Sequence, residues 1–223
     1  MNLGSRKKEH ILARKKVKPP IDSEVPTQIK NQDLVRERRR HIIDSTVKLF
    51  IEHGYHKTTT RMIAKAANFS IGSLYEYVSS KEDLLYLVCK AIHGEVLDAV
   101  EDALSASSKE KEQLAQVIRQ YFYVCDKMAD HILLMYKVTQ FLPDQWQKRV
   151  MENEMRITDI FVKTLTRMAV DGESGKGPAI ELVAHNIAVL GQAWAFRRWY
   201  YSKHYTIDEY IAFQTEFILG ISF

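Results

Sequence analysis

Residues 58–84 read TTTRMIAKAANFSIGSLYEYVSSKEDL. The spacing predicts two short helices joined by about four residues. Thr59 and Thr60 suit the start of a helix running through Ala67, and Ser70 the start of another through Val78, because their side-chain oxygens can accept from the unpaired amides of a first turn. Ile63 and Leu74 supply apolar contact between the two, Ala64 and Ala67 let the backbones approach, and Asn68 stands where the turn needs a positive φ. Gly72 and Ser73 keep the front of the second helix small. A tight turn followed by a slim, exposed helix is what a helix-turn-helix requires, the second helix being the one that enters a major groove.

Outward from this stretch the helical pattern continues. Ile43, Val47 and Phe50 recur at i, i+4, i+7 and Gly54 follows as a stop, which predicts a first helix over about 34–53. Ser80 can cap a long helix opening Lys81-Glu82-Asp83, with acids at its positive end and Leu84, Leu85, Val88, Ile92, Val96, Val100 and Leu104 along it. Further helices are expected at about 109–129, 130–141, 143–170, 178–203 and 206–222, with Pro143 and Pro178 in the favoured first turn and DGESGKGP (171–178) as a loop. No N-G or D-G hairpin signal separates short alternating runs. The expected fold is all-α with about nine helices: a flexible basic extension over 1–33, a three-helix helix-turn-helix domain over 34–82, and a second helical domain over 83–223.

The chain has 223 residues, 46% hydrophobic, 27% charged and 10% aromatic, a globular profile rather than a disordered one. The longest uncharged stretch, LVAHNIAVLGQAWAF over 182–196, is shorter than the roughly 20 residues a bilayer span needs. The basic N-terminus lacks an apolar core of about 7–15 residues, so export is not indicated and the cytoplasm is the expected location. Residues 1–40 hold 12 Lys and Arg against 5 Asp and Glu, a balance of +7, and the rest of the chain holds 20 against 23, or −3. A basic end on a near-neutral body points to a polyanionic partner, with nucleic acid ahead of a membrane because nothing apolar accompanies the charge. Cys89 and Cys125 lie in helical apolar patterns with no metal spacing and read as buried thiols.

Catalytic and metal signals are missing. The eight histidines form no H-E-x-x-H, and His53 and His56 straddle Gly54. Glu181 and His185 could form an acid–base pair, but no nucleophile or phosphate-binding glycine loop accompanies them. No enzyme activity, cofactor or metal is therefore expected.

The 58–84 segment resembles the DNA-binding signature of the TetR family of transcriptional regulators, approximately T-T-x-x-I-A-x-x-A-G-V-S-x-G-x-L-Y-x-Y-F-x-x-K-x-x-L. Thr59, Thr60, Ile63, Ala64, Ala67, Ser70, Gly72, Leu74, Tyr75, Tyr77, Lys81 and Leu84 meet it, while Asn68, Phe69 and Val78 depart from it conservatively. The resemblance implies phosphate contacts at Thr60, Tyr77 and Lys81 and base-facing positions at Arg61, Ile71, Gly72, Ser73 and Tyr75. Phosphate contacts set register, and base contacts specify sequence. Arg36, Arg38, Arg39 and Arg40 at the start of the first helix, with Arg6, Lys7, Lys8, Arg14, Lys15, Lys16 and Lys18 before them, would add phosphate neutralisation.

For the C-terminal half the resemblance implies a regulatory domain in which middle helices enclose a ligand cavity and the last two helices pair with a second subunit. Val183, Ile187, Leu190 and Trp194 share one face, whereas the last helix carries Tyr210, Phe213 and Phe217 on one side and Ile211 and Ile218 on another, which suits a four-helix homodimer interface. The aromatic and Met-rich middle helices, with Gly191 leaving room beside Gln192, suggest an elongated apolar cavity. Segments 135–146 and 186–217 resemble the branch of the family that senses fatty acyl-CoA esters. That implies a ligand site drawn from Tyr121, Met135, Tyr136, Phe141, Trp146, Phe161, Gln192 and Trp194, with Arg197 or Arg198 meeting phosphate or carbonyl oxygens. The implied partners are a double-stranded DNA operator, a second copy of the chain and a small apolar or amphipathic effector, and the implied function is repression relieved by that effector. The alternatives are control by a protein partner or a different hydrophobic ligand and, more remotely, a helical enzyme.

Overall fold

The computed structural model describes residues 24–104, 110–170 and 177–220. The basic arm at 6–18 and nearly all of the expected loop at 171–178 lie outside the described residues. Ten α-helices follow one another, with no strand among the described residues: α1 (Gln32–His53), α2 (Thr60–Ala66), α3 (Ile71–Tyr77), α4 (Lys81–Leu104), α5 (Glu110–Lys127), α6 (Ala129–Val138), α7 (Asp144–Val170), α8 (Gly177–Phe196), α9 (Arg198–His204) and α10 (Ile207–Leu219). A 3-10 turn, Thr139–Phe141, joins α6 to α7.

The boundaries arise where local chemistry predicts them. Gly54 ends α1 at φ 78°, and Asn68 supplies the turn between α2 and α3 at φ 60°. Thr59 Oγ1 accepts from the Met62 amide, Ser70 Oγ from Ser73, and Ser80 Oγ from Asp83, so these three caps form, while Thr60 is the first residue of α2 and not its cap. Thr206 and Glu209 close a reciprocal capping box at the head of α10.

Several features depart from expectation. The segment expected as one helix over 178–203 is two: at Arg197 the backbone turns to φ −113°, ψ 19°, and α9 restarts, bringing Tyr201 under Trp194 in a stacked pair with centroids 5.9 Å apart. No proline or glycine marks this break, so ten helices stand where nine were expected. Residues 24–31, placed in the flexible extension, pack onto the body: Val25 is buried, and Thr27 Oγ1 and the Gln28 amide both donate to the Glu76 carbonyl. Finally, although 182–196 alone is short of a bilayer span, the helix stretch 179–196 is long and apolar enough by length and composition. Its apolar inner face packs on α5, α6 and α7 of the same chain.

α4 is the centre of the molecule. It packs against α1 on one side and against α5, α6 and α7 on the others. Every residue from Asp83 to Cys89 is therefore buried, although a helix at a surface buries only one stripe. On α10, Tyr210, Ile211 and Ile218 face inward, whereas Phe213 and Phe217 stay 68% and 60% exposed. Tyr210 thus joins the isoleucine face and not the phenylalanine face, because it packs on Trp194 and Tyr201.

Candidate nucleic-acid interface and effector cavity

α2 and α3 pack through Ile63, Ala64 and Leu74, all buried, and leave an outer face in solvent. Arg61, Ile71, Gly72 and Tyr75 are exposed there, with Tyr75 44% exposed. Its hydroxyl lies 3.2 Å from Thr60 Oγ1, tying the start of α2 to α3. Ser73 is half-buried and its Oγ accepts from Ser70 Oγ at 2.9 Å, so it presents a hydroxyl already engaged on its own helix. A β-carbon at Gly72 would meet only Ser70 Oγ at 3.8 Å, so position 72 opens onto free space on the outer face of α3.

Two of the phosphate candidates are held by the protein itself. Tyr77 is 6% exposed with its ring edge-on to Phe69, so it acts as a packing residue between helices. Lys81 Nζ donates to the Tyr55 carbonyl at 2.6 Å and sits 4.1 Å over the Tyr55 ring. Burial lowers its pKa, with the nearby Glu82 carboxylate pulling the other way. Arg39, expected beside DNA, is 1% exposed and turned inward, donating to the Tyr77, Val25 and Pro26 carbonyls. Arg36, Arg38 and Arg40 remain on the outer side of α1.

In the C-terminal half a cavity of about 20 Å³ lies between α4, α5, α6, α7 and α8. Of the residues expected there, Tyr121, Met135 and Gln192 line it. Tyr136 reaches its rim from an exposed position, donating to Gln192 Oε1 at 2.6 Å, and Gln192 Nε2 donates to Glu154 Oε1 at 2.9 Å. The remaining walls are Ile92, His93 and Val96 of α4, Glu154 and Ile157 of α7, and Cys125, Ile132 and Ala188. Burial pushes the Cys125 thiol up to about 12, which keeps it protonated and a poor nucleophile.

The other expected ligand residues are elsewhere. Phe161 is buried edge-on behind Tyr121. Trp194 donates to Asp126 Oδ1 at 2.7 Å in the α8–α9 corner. Arg197 lies over the Trp199 ring and Arg198 lies 3.9 Å from Asp126, both exposed, so neither serves the cavity. Phe141 stacks on Tyr55 with centroids 5.6 Å apart, and Trp146 stacks on Tyr86 at 4.2 Å while donating to Asp83. Phe141 locks the 3-10 turn onto the α1–α2 loop and so joins the two halves of the molecule, whereas Trp146 fastens the start of α7 to α4 within the C-terminal half. His93 and Glu154 escaped the sequence reading because a lone histidine or glutamate on a helix carries no spacing signal. The room read beside Gly191 is filled: a β-carbon there would lie 2.4 Å from Tyr121 Cε1.

Comparison with known proteins agrees with this arrangement. Residues 42–87 match the model of bacterial regulatory proteins of the tetR family. The chain is 28% identical over 188 residues to the HTH-type transcriptional regulator HbdR of Aromatoleum sp. (strain CIB), covering 84% of this chain and 81% of that one. It is 29% identical over 154 residues to the fatty acid metabolism regulator protein of Bacillus subtilis (strain 168), covering 68% and 78%. The fold is shared with the fatty acid degradation regulator FadR from Bacillus halodurans, at a TM-score of 0.65 and 21% identity over 82% of this chain and 95% of that one.

Proposed function

Because this chain is a TetR-family transcriptional regulator, we propose that it works as a homodimeric repressor, released from a palindromic operator by an apolar or amphipathic effector. The observation that carries the DNA-binding part is the outer face of α2 and α3, where Arg61, Ile71, Gly72 and Tyr75 stand free on helices fixed from behind by buried contacts. Ile71 offers apolar contact to thymine methyls, and Arg61 and Tyr75 offer hydrogen bonds. The domain limits that go with this reading are 34–82 for the DNA-binding unit, with 24–31 packed onto the body before it, and 83–223 for the ligand-binding and dimerisation unit.

Exposed Leu182 and Val189 on α8 and Phe213 and Phe217 on α10 support pairing of two copies through these helices. Two recognition helices held about 34–36 Å apart would read two half-sites one turn of DNA apart.

The similarity to a fatty acid metabolism regulator supports a fatty acyl-CoA as effector. A cavity of about 20 Å³ has room for roughly one water-sized group, far below the ~300–1,000 Å³ of a ligand pocket. An acyl chain therefore enters only as α4 and α7 part. Phe141, just before α7, stacks on Tyr55, and Lys81 at the start of α4 donates to the Tyr55 carbonyl, so parting these helices disturbs the mount of the helix-turn-helix. Tenfold weaker operator binding needs a coupling of about 1.4 kcal/mol.

Native mass spectrometry of gently purified protein, followed by operator-shift assays with a panel of acyl-CoAs, tests this reading. Acyl-CoA that co-purifies or loosens the complex upholds it, and DNA binding as a dimer with no response to any acyl-CoA removes the effector assignment. The small size of the cavity favours a second reading, DNA binding controlled by a protein partner, which that second outcome would leave standing.

A further inference from the structure

His93 stands on α4 against the cavity, 3% exposed, and neither ring nitrogen has a hydrogen-bond partner among the described residues. A neutral imidazole carries one donor and one acceptor, and a buried polar atom left unpaired is costly enough that native cores avoid it. The other polar groups of the cavity are already engaged. Tyr121 donates to the Ala188 carbonyl at 3.0 Å, Gln192 donates to Glu154, and Tyr136 donates to Gln192. His93 is thus the wall residue with spare hydrogen-bonding capacity on both polar atoms.

The charge around it narrows the chemistry. Burial lowers the His93 pKa, with Glu154 pulling it upward, so the ring is a weak base in this setting. Among the described residues no lysine or arginine lines the cavity, and the carboxylate of Glu154 shares it. An anionic head would be buried beside a carboxylate with no cation to pair it. A hydroxyl, by contrast, can donate to one imidazole nitrogen and is uncharged, and Ile92, Val96, Ile132 and Ile157 suit the apolar body that carries it.

We infer that the effector places an uncharged hydrogen-bonding group, a hydroxyl foremost, against His93 while its apolar body displaces the walls contributed by α4 and α7. This rests on the reading of the cavity as the effector site. Any charged part of the same molecule stays outside, toward the rim where Tyr136 is exposed.

The test uses the full chain with decanol and decanoate as probes, above neutral pH, with binding followed by intrinsic fluorescence and operator release by mobility shift. Decanol is expected to bind at least tenfold more tightly than decanoate. His93→Phe, which keeps the ring and removes both nitrogens, is expected to weaken decanol tenfold or more and erase that preference. His93→Gln, which keeps a donor and an acceptor, is expected to retain it and guards against a folding defect in the first variant. Equal or tighter binding of decanoate, or decanol binding that His93→Phe leaves unchanged, overturns the inference. If acyl-CoA still releases the operator while decanol fails to bind, this inference falls and the effector-released regulator stands. If neither probe binds and no acyl-CoA releases the operator, both fall.

Discussion

Arg39 holds the last carbonyl of α3: its Nε and Nη2 lie 2.9 and 2.6 Å from the Tyr77 oxygen. The same Nη2 reaches the Val25 and Pro26 carbonyls at 2.8 and 3.1 Å. One guanidinium thereby satisfies the Tyr77 carbonyl, which α3 cannot pair internally, and anchors the strap that precedes α1.

Replacing Arg39 with Ala leaves these buried carbonyls unpaired. We expect a loss of roughly 2–4 kcal/mol in unfolding free energy, read by urea denaturation, from one or two acceptors at about 1–3 kcal/mol each. Arg39→Lys should recover little, because a point ammonium cannot reproduce the fork. An unchanged midpoint would remove the structural role assigned to Arg39.

The strap continues into the C-terminal half. Glu24 accepts from Lys90 at 2.7 Å and from the Tyr86 hydroxyl, with Arg149 4.0 Å away. Burial pushes the Glu24 pKa up, but the Lys90 and Tyr86 hydrogen bonds and the two positive charges outweigh it, leaving the carboxyl below its usual 4.5. A depressed folded value means that the stabilisation is complete above that usual value and is lost as pH falls through the folded one. Wild type should therefore lose stability faster than Glu24→Gln on acidification below about pH 4.5, and the two curves should run parallel at neutral pH.

Gly191 lets α8 approach α5, since Tyr121 Cε1 and Cδ1 would stand 2.4 and 2.9 Å from a β-carbon there. Gly191→Ala forces the ring off its bond to the Ala188 carbonyl and is expected to cost about 1–3 kcal/mol. Combining it with Tyr121→Ala should cost less than the two single changes added, because both act on one ring. Strict additivity in thermal denaturation would contradict the contact.

Lys81 distinguishes two uses of one ammonium. If it leaves the Tyr55 carbonyl to meet a phosphate on binding, Lys81→Met lowers the slope of log affinity against log salt by about 0.9. A slope that stays constant while stability drops would keep Lys81 as a purely internal tie.

Phe213 and Phe217 are the most exposed aromatics on α10. The double change to Asp is expected to shift the chain from dimer to monomer in analytical ultracentrifugation and to weaken operator binding by the loss of the paired half-site. It should spare the secondary structure seen by circular dichroism, because neither ring enters the core. A variant that remains dimeric would place the interface elsewhere.

Helix identity, caps and turn were legible in the sequence because each depends on neighbours within a few residues: Thr59, Ser70, Ser80, Gly54 and Asn68 act on amides or dihedrals beside them. The motif at 58–84 was legible for the same reason, its residues lying at fixed offsets along two short helices. Where an aromatic goes was not. Tyr121, Phe141, Trp146 and Trp194 carry the same apolar signal, yet one lines the cavity, one ties the 3-10 turn to the α1–α2 loop, one fastens α7 to α4, and one closes the α8–α9 corner. Likewise Arg39 and its neighbours Arg38 and Arg40 read alike, and only packing turns Arg39 inward.

The sequence by itself determined an all-helical chain with a helix-turn-helix near its start, since hydrophobic period and capping chemistry are local. Tertiary structure alone decided which five helices converge on the cavity, that His93 and Glu154 meet there, and that Gly191 admits a ring instead of leaving a space. Period assigns each side chain a face on its own helix, and only the packing of one helix against another decides what that face meets.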